Sequence, residues 1–208
     1  MSDFRRRTVI AKKPYDAEIE WLGSDSSAYI DTDILPNNIT KFEIEFSYSE
    51  FTASGYIISA YNGEQTNDVR LLLTISNNNG MYYNCGLQAG ASGVITIYKE
   101  TFYKLRCERE GNTLKLYNND VFITTYSSRA GVQNQKSIVL FNRGKIGDYY
   151  TLRDIGAKIK TFKAYEGNNI VIDYKAVRVG QIGYMYDKVS GQLFGNSGTG
   201  NFILGPDL

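Results

Sequence analysis

The sequence predicts an all-β protein, a two-sheet antiparallel sandwich, and three observations carry that prediction. Apolar residues recur with a period of two in segment after segment, which marks strands with one wet and one buried face. Clusters of Gly, Asn, Asp and Ser separate these segments roughly every ten residues, the spacing of sandwich turns. No stretch sustains an i, i+3, i+4, i+7 apolar stripe with capping at both ends. Composition agrees: 17 Tyr, 10 Phe and 20 Gly against only 3 Pro favour short paired strands and tight turns. At 208 residues one core suffices, and no repeat or linker divides it.

Residues 1–14 form a basic N-terminal arm in which Arg5, Arg6, Arg7, Lys12 and Lys13 lack a periodic apolar face. The domain is expected over 15–208. Phe42, Ile44, Phe46 and Tyr48 alternate with Lys41, Glu43, Glu45 and Ser47, an amphipathic strand. Tyr56–Ile58, Val69–Ile75, Met81–Tyr83 and Val94–Tyr98 read as further strands, bounded by Asn and Gly clusters. Tyr103, Leu105 and Cys107 alternate with charged residues, and Gly111-Asn112 turns this strand back into Leu114–Tyr117. Asn118-Asn119-Asp120 makes a second tight turn into Val121–Tyr126. Ile138–Phe141, Ala157–Tyr165 and Ile170–Tyr174 follow, with a short helical turn near Leu152–Ile155. The last stretch places Tyr186, Leu193, Phe194 and Phe202 between turn signals such as Asp187-Lys188-Val189-Ser190-Gly191 and Gly195-Asn196-Ser197-Gly198. The core is expected to contain Phe42, Ile44, Phe46, Leu105, Leu116, Leu140, Ile159 and Phe162.

Composition also restricts function. The chain has no histidine, which removes the commonest general base and the commonest zinc ligand. Its 2 cysteines, Cys85 and Cys107, are too few for a disulfide scaffold. They read as buried thiols, with a bridge between neighbouring strands as the alternative. A net charge of +1 makes the whole chain no electrostatic trap for nucleic acid, and no apolar run is long enough to cross a membrane as a helix. The basic start is followed by too short an apolar run for a signal peptide. Glu43 and Glu45, or Glu18 and Glu20, have the i, i+2 spacing of paired catalytic acids. Alternation with Phe42, Ile44 and Phe46 places Glu43 and Glu45 on the outer face, so no enzymatic activity is expected.

Five segments, spread over about residues 15–207, carry a resemblance. They are Tyr15-Asp16-Ala17-Glu18-Ile19-Glu20-Trp21-Leu22 with Ser27-Ala28-Tyr29-Ile30-Asp31-Thr32, the hairpin Lys104–Val121, Ile138–Arg143, Ala157–Tyr165, and the ending from Met185 to Asp207. Together they resemble the laminin-G-like, concanavalin A-like jelly-roll modules of structural proteins of gut-bacterial tailed phages. The hairpin carries Asn119-Asp120 where such modules normally have Asn-Gly, a pair that still tolerates left-handed backbone.

The resemblance implies a non-enzymatic virion structural or decoration protein: a head fibre, capsid accessory or tail-associated subunit. It would be assembled in the host cytoplasm, form a homo-oligomer and partner other virion proteins and host-surface glycans. The alternative is a stand-alone lectin-like module at a bacterial surface. Arg5, Arg6, Arg7, Lys12 and Lys13 are then the expected assembly anchor. Asp148, Tyr149, Tyr150, Tyr61 and Asn62 are the expected ligand-binding residues, because sugars offer apolar faces ringed by hydroxyls to aromatic and planar polar groups. No cofactor is expected. Calcium, which such sandwiches bind on loop rims, would draw on Asp25, Asp31, Asp33, Glu64, Asp68, Asp148 and Asp154, and these loops read first as solvated turns.

Overall fold

The period-two alternation resolves into two antiparallel sheets whose apolar faces meet. The computed structural model describes residues 13–24, 27–49, 55–60, 68–75, 80–87, 91–92, 95–141 and 156–208. The strands in order are β1 (Ala17–Glu18), β2 (Leu22–Ser24), β3 (Ile30–Asp31), β4 (Lys41–Tyr48), β5 (Gly55–Ala60) and β6 (Arg70–Ile75). Then come β7 (Met81–Leu87), β8 (Ala91–Ser92), β9 (Tyr103–Glu110), β10 (Thr113–Asn118), β11 (Val121–Ser127) and β12 (Val139–Leu140). The chain closes with β13 (Ala157–Glu166), β14 (Asn169–Val179), β15 (Ile182–Asp187), β16 (Leu193–Phe194) and β17 (Phe202–Leu204).

The large sheet runs β11-β10-β9-β4-β13-β14-β15-β16, with β2 between β13 and β17 and β1 on β14. The smaller one runs β3-β12-β5-β6-β7-β8. Every core residue expected from alternation is buried: Phe42, Ile44, Phe46, Leu105, Leu116, Leu140, Ile159 and Phe162 belong to one apolar cluster. Small-sheet residues Ile58, Leu71, Leu73, Tyr83 and Cys85 complete it from the other side. Packing two pleated faces in this way removes alternate residues from water and leaves their neighbours on the outer surfaces.

Turn chemistry follows the local sequence. Gly111 sits at φ 57° in the β9–β10 hairpin, and Asn119 and Asp120 sit at φ 49° and 63° between β10 and β11. Two consecutive left-handed residues match the right-handed twist of the flanking strands.

One expectation changes. Residues 95–98 form no strand: the Ile97 carbonyl accepts the Tyr48 hydroxyl at 2.9 Å and the Tyr98 N–H donates to the Tyr103 hydroxyl at 2.9 Å. Tyrosine side chains of β4 and β9 satisfy this backbone, so Ile97 plugs the core from a loop. A short 3-10 turn at Pro36–Asn38, opened by its proline, is invisible to periodicity. The helical turn anticipated near Leu152–Ile155 lies outside the described residues.

The two cysteines are free and buried on opposite sheets, Cys85 on β7 and Cys107 on β9. They are therefore not neighbours within one sheet, as a bridge between adjacent strands would require. Burial, and then the Cys85 thiol beside it, pushes the Cys107 thiol well above the usual range.

Candidate functional site

The outer face of the large sheet has the appearance of a binding surface, because it mixes aromatics with charge. Its register explains the mixture differently. Glu43 lies opposite Arg106 on one side and Lys163 on the other, and Glu45 lies opposite Lys104. Opposite charges directly across a ladder stabilise the pairing by a few tenths to about 1 kcal/mol each.

The acids with catalytic spacing are all engaged by amines. Glu43 meets Lys41 at 3.4 Å and accepts the Tyr165 hydroxyl at 3.1 Å. Lys160 meets Glu20 at 3.0 Å and Glu45 at 3.5 Å. Glu18 accepts from Lys175, Lys13 and Tyr15, and these bonds, Lys175 first, lower its carboxyl to about 2. A carboxyl held as an anion this firmly cannot deliver a proton near neutrality, which a glycosidase acid must do.

The rings of this face are also occupied. Arg106 stacks 3.7 Å from the centroid of Tyr117, Lys41 3.7 Å from Tyr165 and Lys160 4.1 Å from Phe102. A sugar stacking there would displace cations that contribute about 0.5–1 kcal/mol apiece. A cleft of about 380 Å³ does open between Glu18, Glu20, Glu45, Lys160, Lys175 and Lys188, but its charges pair with one another or with adjacent residues.

At one end of the sandwich the situation differs. The turn Pro36–Asn38, the end of β7, the β9–β10 hairpin and residues 130–133 surround a groove of about 250 Å³. Val69 and Leu87 give it an apolar floor. Asn38, Asn112 and Gln133 are exposed around it, and their side-chain amides have no hydrogen bond among the described residues. A planar amide offers both donor and acceptor to a ligand hydroxyl.

The rim is held from beneath by Asn134, which is fully buried. Its Nδ2 donates to the carbonyls of Ala60 at 3.0 Å and Val69 at 2.9 Å, and its N–H donates to Asn37 Oδ1 at 2.7 Å. The Asn37 Nδ2 returns a bond to the Asn134 carbonyl at 3.0 Å. Buried Asp68 joins this network and pairs with Arg70 at 2.9 Å. Satisfied networks of this kind fix backbone position, so the segment carrying Gln133 is held in place.

Arg109 forms the wall between this groove and a second cleft of about 250 Å³, lined by Thr40, Lys41, Glu108, Glu110, Lys115, Gly167 and Asn168. It continues the phase of Tyr103, Leu105 and Cys107, so its side chain is directed between the sheets at their open end. There its Nη1 donates to the Gly86 carbonyl on the opposite sheet. Gly86 has φ +68°, and a Cβ there would stand 2.7 Å from Arg109 Nη1 and 2.3 Å from the Ile39 carbonyl. Glycine is thus what admits the guanidinium.

The ligand-binding residues expected from sequence, Tyr61, Asn62, Asp148, Tyr149 and Tyr150, all lie outside the described residues, as do Arg5, Arg6, Arg7 and Lys12. Lys13 is described: it pairs with Glu18 at 2.9 Å and sits over the Tyr15 ring, joined to the domain. Of the calcium candidates, Asp68 is committed to Arg70 and Asn134, and Asp31 Oδ1 accepts the Asp33 N–H at 3.0 Å. Asp25, Glu64, Asp148 and Asp154 lie outside the described residues, among which no cluster of three or more metal-ligating side chains occurs. The groove residues Asn38, Arg109, Asn112 and Gln133 do not stand out in the sequence. One signal exists, an arginine at the inward phase of β9.

No protein-family model matches the chain, and no curated protein matches it in sequence. Solved structures do match in fold. A Bacteroides ovatus protein provisionally assigned to carbohydrate binding aligns with a TM-score of 0.62 at 10% identity, over 90% of this chain and 60% of its own. This chain therefore spans less than two thirds of that protein. A heptameric SAP-like pentraxin from Limulus polyphemus aligns at 0.58 and 14% identity, over 93% of this chain and 96% of its own. The CBM40 module of the Ruminococcus gnavus IT-sialidase aligns at 0.52 and 15% identity, over 72% and 91%. The same module has been solved bound to α2,3 sialyllactose. At these identities the likeness defines the class of fold, a jelly-roll sandwich.

Proposed function

We propose that this chain is a non-catalytic carbohydrate-binding jelly-roll module, carried on the particle of a tailed phage and presenting the end groove to surface glycans. The groove carries the reading: three amides unengaged among the described residues and a guanidinium surround an apolar floor on a buried, satisfied frame. Saccharides ask for that combination, since they expose C–H faces between hydroxyls. The fold shared with the Ruminococcus gnavus and Bacteroides ovatus structures supports it. The ion-paired outer face supports binding over catalysis, because its acids are engaged by lysines.

The virion part of the reading rests on the sequence resemblance of residues 15–207. Anchoring falls to the basic arm, Arg5, Arg6, Arg7, Lys12 and Lys13, the last of which also pairs with Glu18 at 2.9 Å. The binding test is a glycan array, sialylated and neutral, probed with the full chain and with the variant Asn38→Ala/Asn112→Ala/Gln133→Ala. Binding by the first and its loss in the second is expected; equal signals would move the site elsewhere. Particle location is tested by immunogold labelling of purified phage carrying the full chain or the chain truncated before Pro14. Labelled particles lost on truncation are expected, whereas unlabelled particles in both cases would leave the stand-alone lectin.

A further inference from the structure

We propose that Arg109 is an anion-recognising residue and that the groove takes an acidic saccharide through its carboxylate. The proposal rests on reading the groove as a saccharide site and names the chemistry that site selects.

The first argument is charge balance. The other basic side chains on the strands of the large sheet each have a carboxylate partner: Lys41 with Glu43, Lys104 with Asp120, Arg106 with Glu108, Lys115 with Glu110, and Lys158 with Glu100. Lys160, Lys163, Lys175 and Arg178 pair with Glu20, Asp173, Glu18 and Asp207. Arg109 has none among the described residues. The two acids flanking it in sequence, Glu108 and Glu110, are turned to the outer face and taken by Arg106 and Lys115. Among the described residues, Arg109 is also the one charged residue lining the groove. A half-buried cation without a counter-ion has lost hydration that the single Gly86 carbonyl returns only in part.

The second argument is geometry. A guanidinium carries five N–H donors in a planar fork, and the Gly86 carbonyl uses one. That bond fixes the plane from behind and leaves donors for an approaching carboxylate, whose two oxygens match the fork. The groove around it is otherwise neutral, with amides at its rim and Val69 and Leu87 beneath. A sugar acid fits both parts, the carboxylate on Arg109 and the ring hydroxyls on Asn38, Asn112 and Gln133. Inorganic phosphate or acetate would use the first part only.

The experiment is calorimetric titration of the full chain with an oligogalacturonate and a hyaluronan oligosaccharide, each compared with its methyl ester, and with inorganic phosphate. The wild-type chain should bind at least one acid about tenfold or more tightly than its ester, as a charge-assisted bond implies. That preference should shrink in high salt. Arg109→Gln should abolish the preference while retaining the weaker binding of the ester. Arg109→Lys, which keeps the charge but loses the fork, should fall between and guards against a folding defect in the first variant. Equal binding of acid and ester, or a preference that survives in Arg109→Gln, would overturn the inference and leave the glycan-binding reading standing. Phosphate binding as tightly as the acids would overturn it too, by reducing the site to a general anion hole. Binding of no saccharide at all would remove both readings together.

Discussion

Asp187 shows how one side chain can hold a turn of the C-terminal region against a strand. It is 4% exposed, and its Oδ1 accepts the N–H of Asp173 at 2.9 Å and of Val189 at 3.2 Å. Its Oδ2 accepts the N–H of Ser190 at 3.0 Å. The carboxylate thus joins the Asp187–Gly191 turn to β14. Asp187→Ala would strand these donors, and a loss of about 2–3 kcal/mol is expected from the unsatisfied groups. The urea midpoint should fall with no change in slope. Glu18 makes a prediction about pH. Its folded value of about 2 lies below the 4.5 of an unperturbed glutamate, so its stabilising effect is complete above 4.5. That effect is lost as pH falls from there through about 2. Thermal stability followed over this window should decline less steeply in Glu18→Gln than in the parent. Added salt should blunt the difference, because the Glu18 side chain is 33% exposed.

Among the elements, β17 illustrates closure by a strap. It pairs with β2 through Phe202↔Ser24, Ile203↔Gly23 and Leu204↔Leu22, while the Ser197 N–H donates to the Tyr29 carbonyl at 2.8 Å. The approach is close: a Cβ on Gly198 would stand 1.9 Å from the Ser27 carbonyl oxygen. Backbone cannot yield as a flexible side-chain tip does, so Gly198→Ala should lift the strap and cost about 2 kcal/mol or more. Limited proteolysis should then cut within 195–204 in the variant before it cuts the parent. The β10–β11 hairpin is a contrasting element, because its turn is fully readable in the sequence. Asn119 and Asp120 adopt the left-handed backbone their residue types tolerate, and Asp120 additionally receives Lys104 at 2.9 Å. Residues 95–98 show the opposite. Their β-branched residues signal a strand, yet hydroxyls of Tyr48 and Tyr103, distant in sequence from each other, take the hydrogen bonds a neighbouring strand would have supplied.

The whole molecule is two sheets pressed together, and its thiols report on that contact. Cys85 and Cys107 approach from opposite sheets, both fully buried, and burial raises the Cys107 thiol well above its ordinary range. A thiol reagent reacts with the thiolate, so both cysteines should resist modification in the native chain. They should react together in denaturant, with a native-state rate that tracks opening of the sandwich rather than reagent concentration. Rapid labelling of either cysteine in the folded protein would show that the sheets separate locally at β7 and β9. The groove lies at one end of the same sandwich, where β9 delivers Arg109 against Gly86 of β7. The proposed recognition site thus lies where the two sheets meet rather than on the broad outer face, whose charges are already matched across the strands.

By itself the sequence determined which residues face the core, because alternation is a property of chain neighbours and the pleat converts it directly into two faces. Phe42, Ile44, Phe46, Leu105 and Leu116 needed nothing beyond that, and Asn119-Asp120 specified its own turn. The missing histidine likewise restricted the chemistry through composition alone. Only the tertiary structure decided which polar residues are left over. Whether a lysine or an acid is engaged depends on its cross-strand partner, and register between strands as distant as β4, β9 and β13 is set by the packed sheet. The groove is the extreme case. Asn38, Gln133 and the β9–β10 hairpin residues Arg109 and Asn112 come from three separate parts of the chain, and Gly86 belongs to the other sheet. No local pattern links them, because their convergence is a consequence of closing the sandwich.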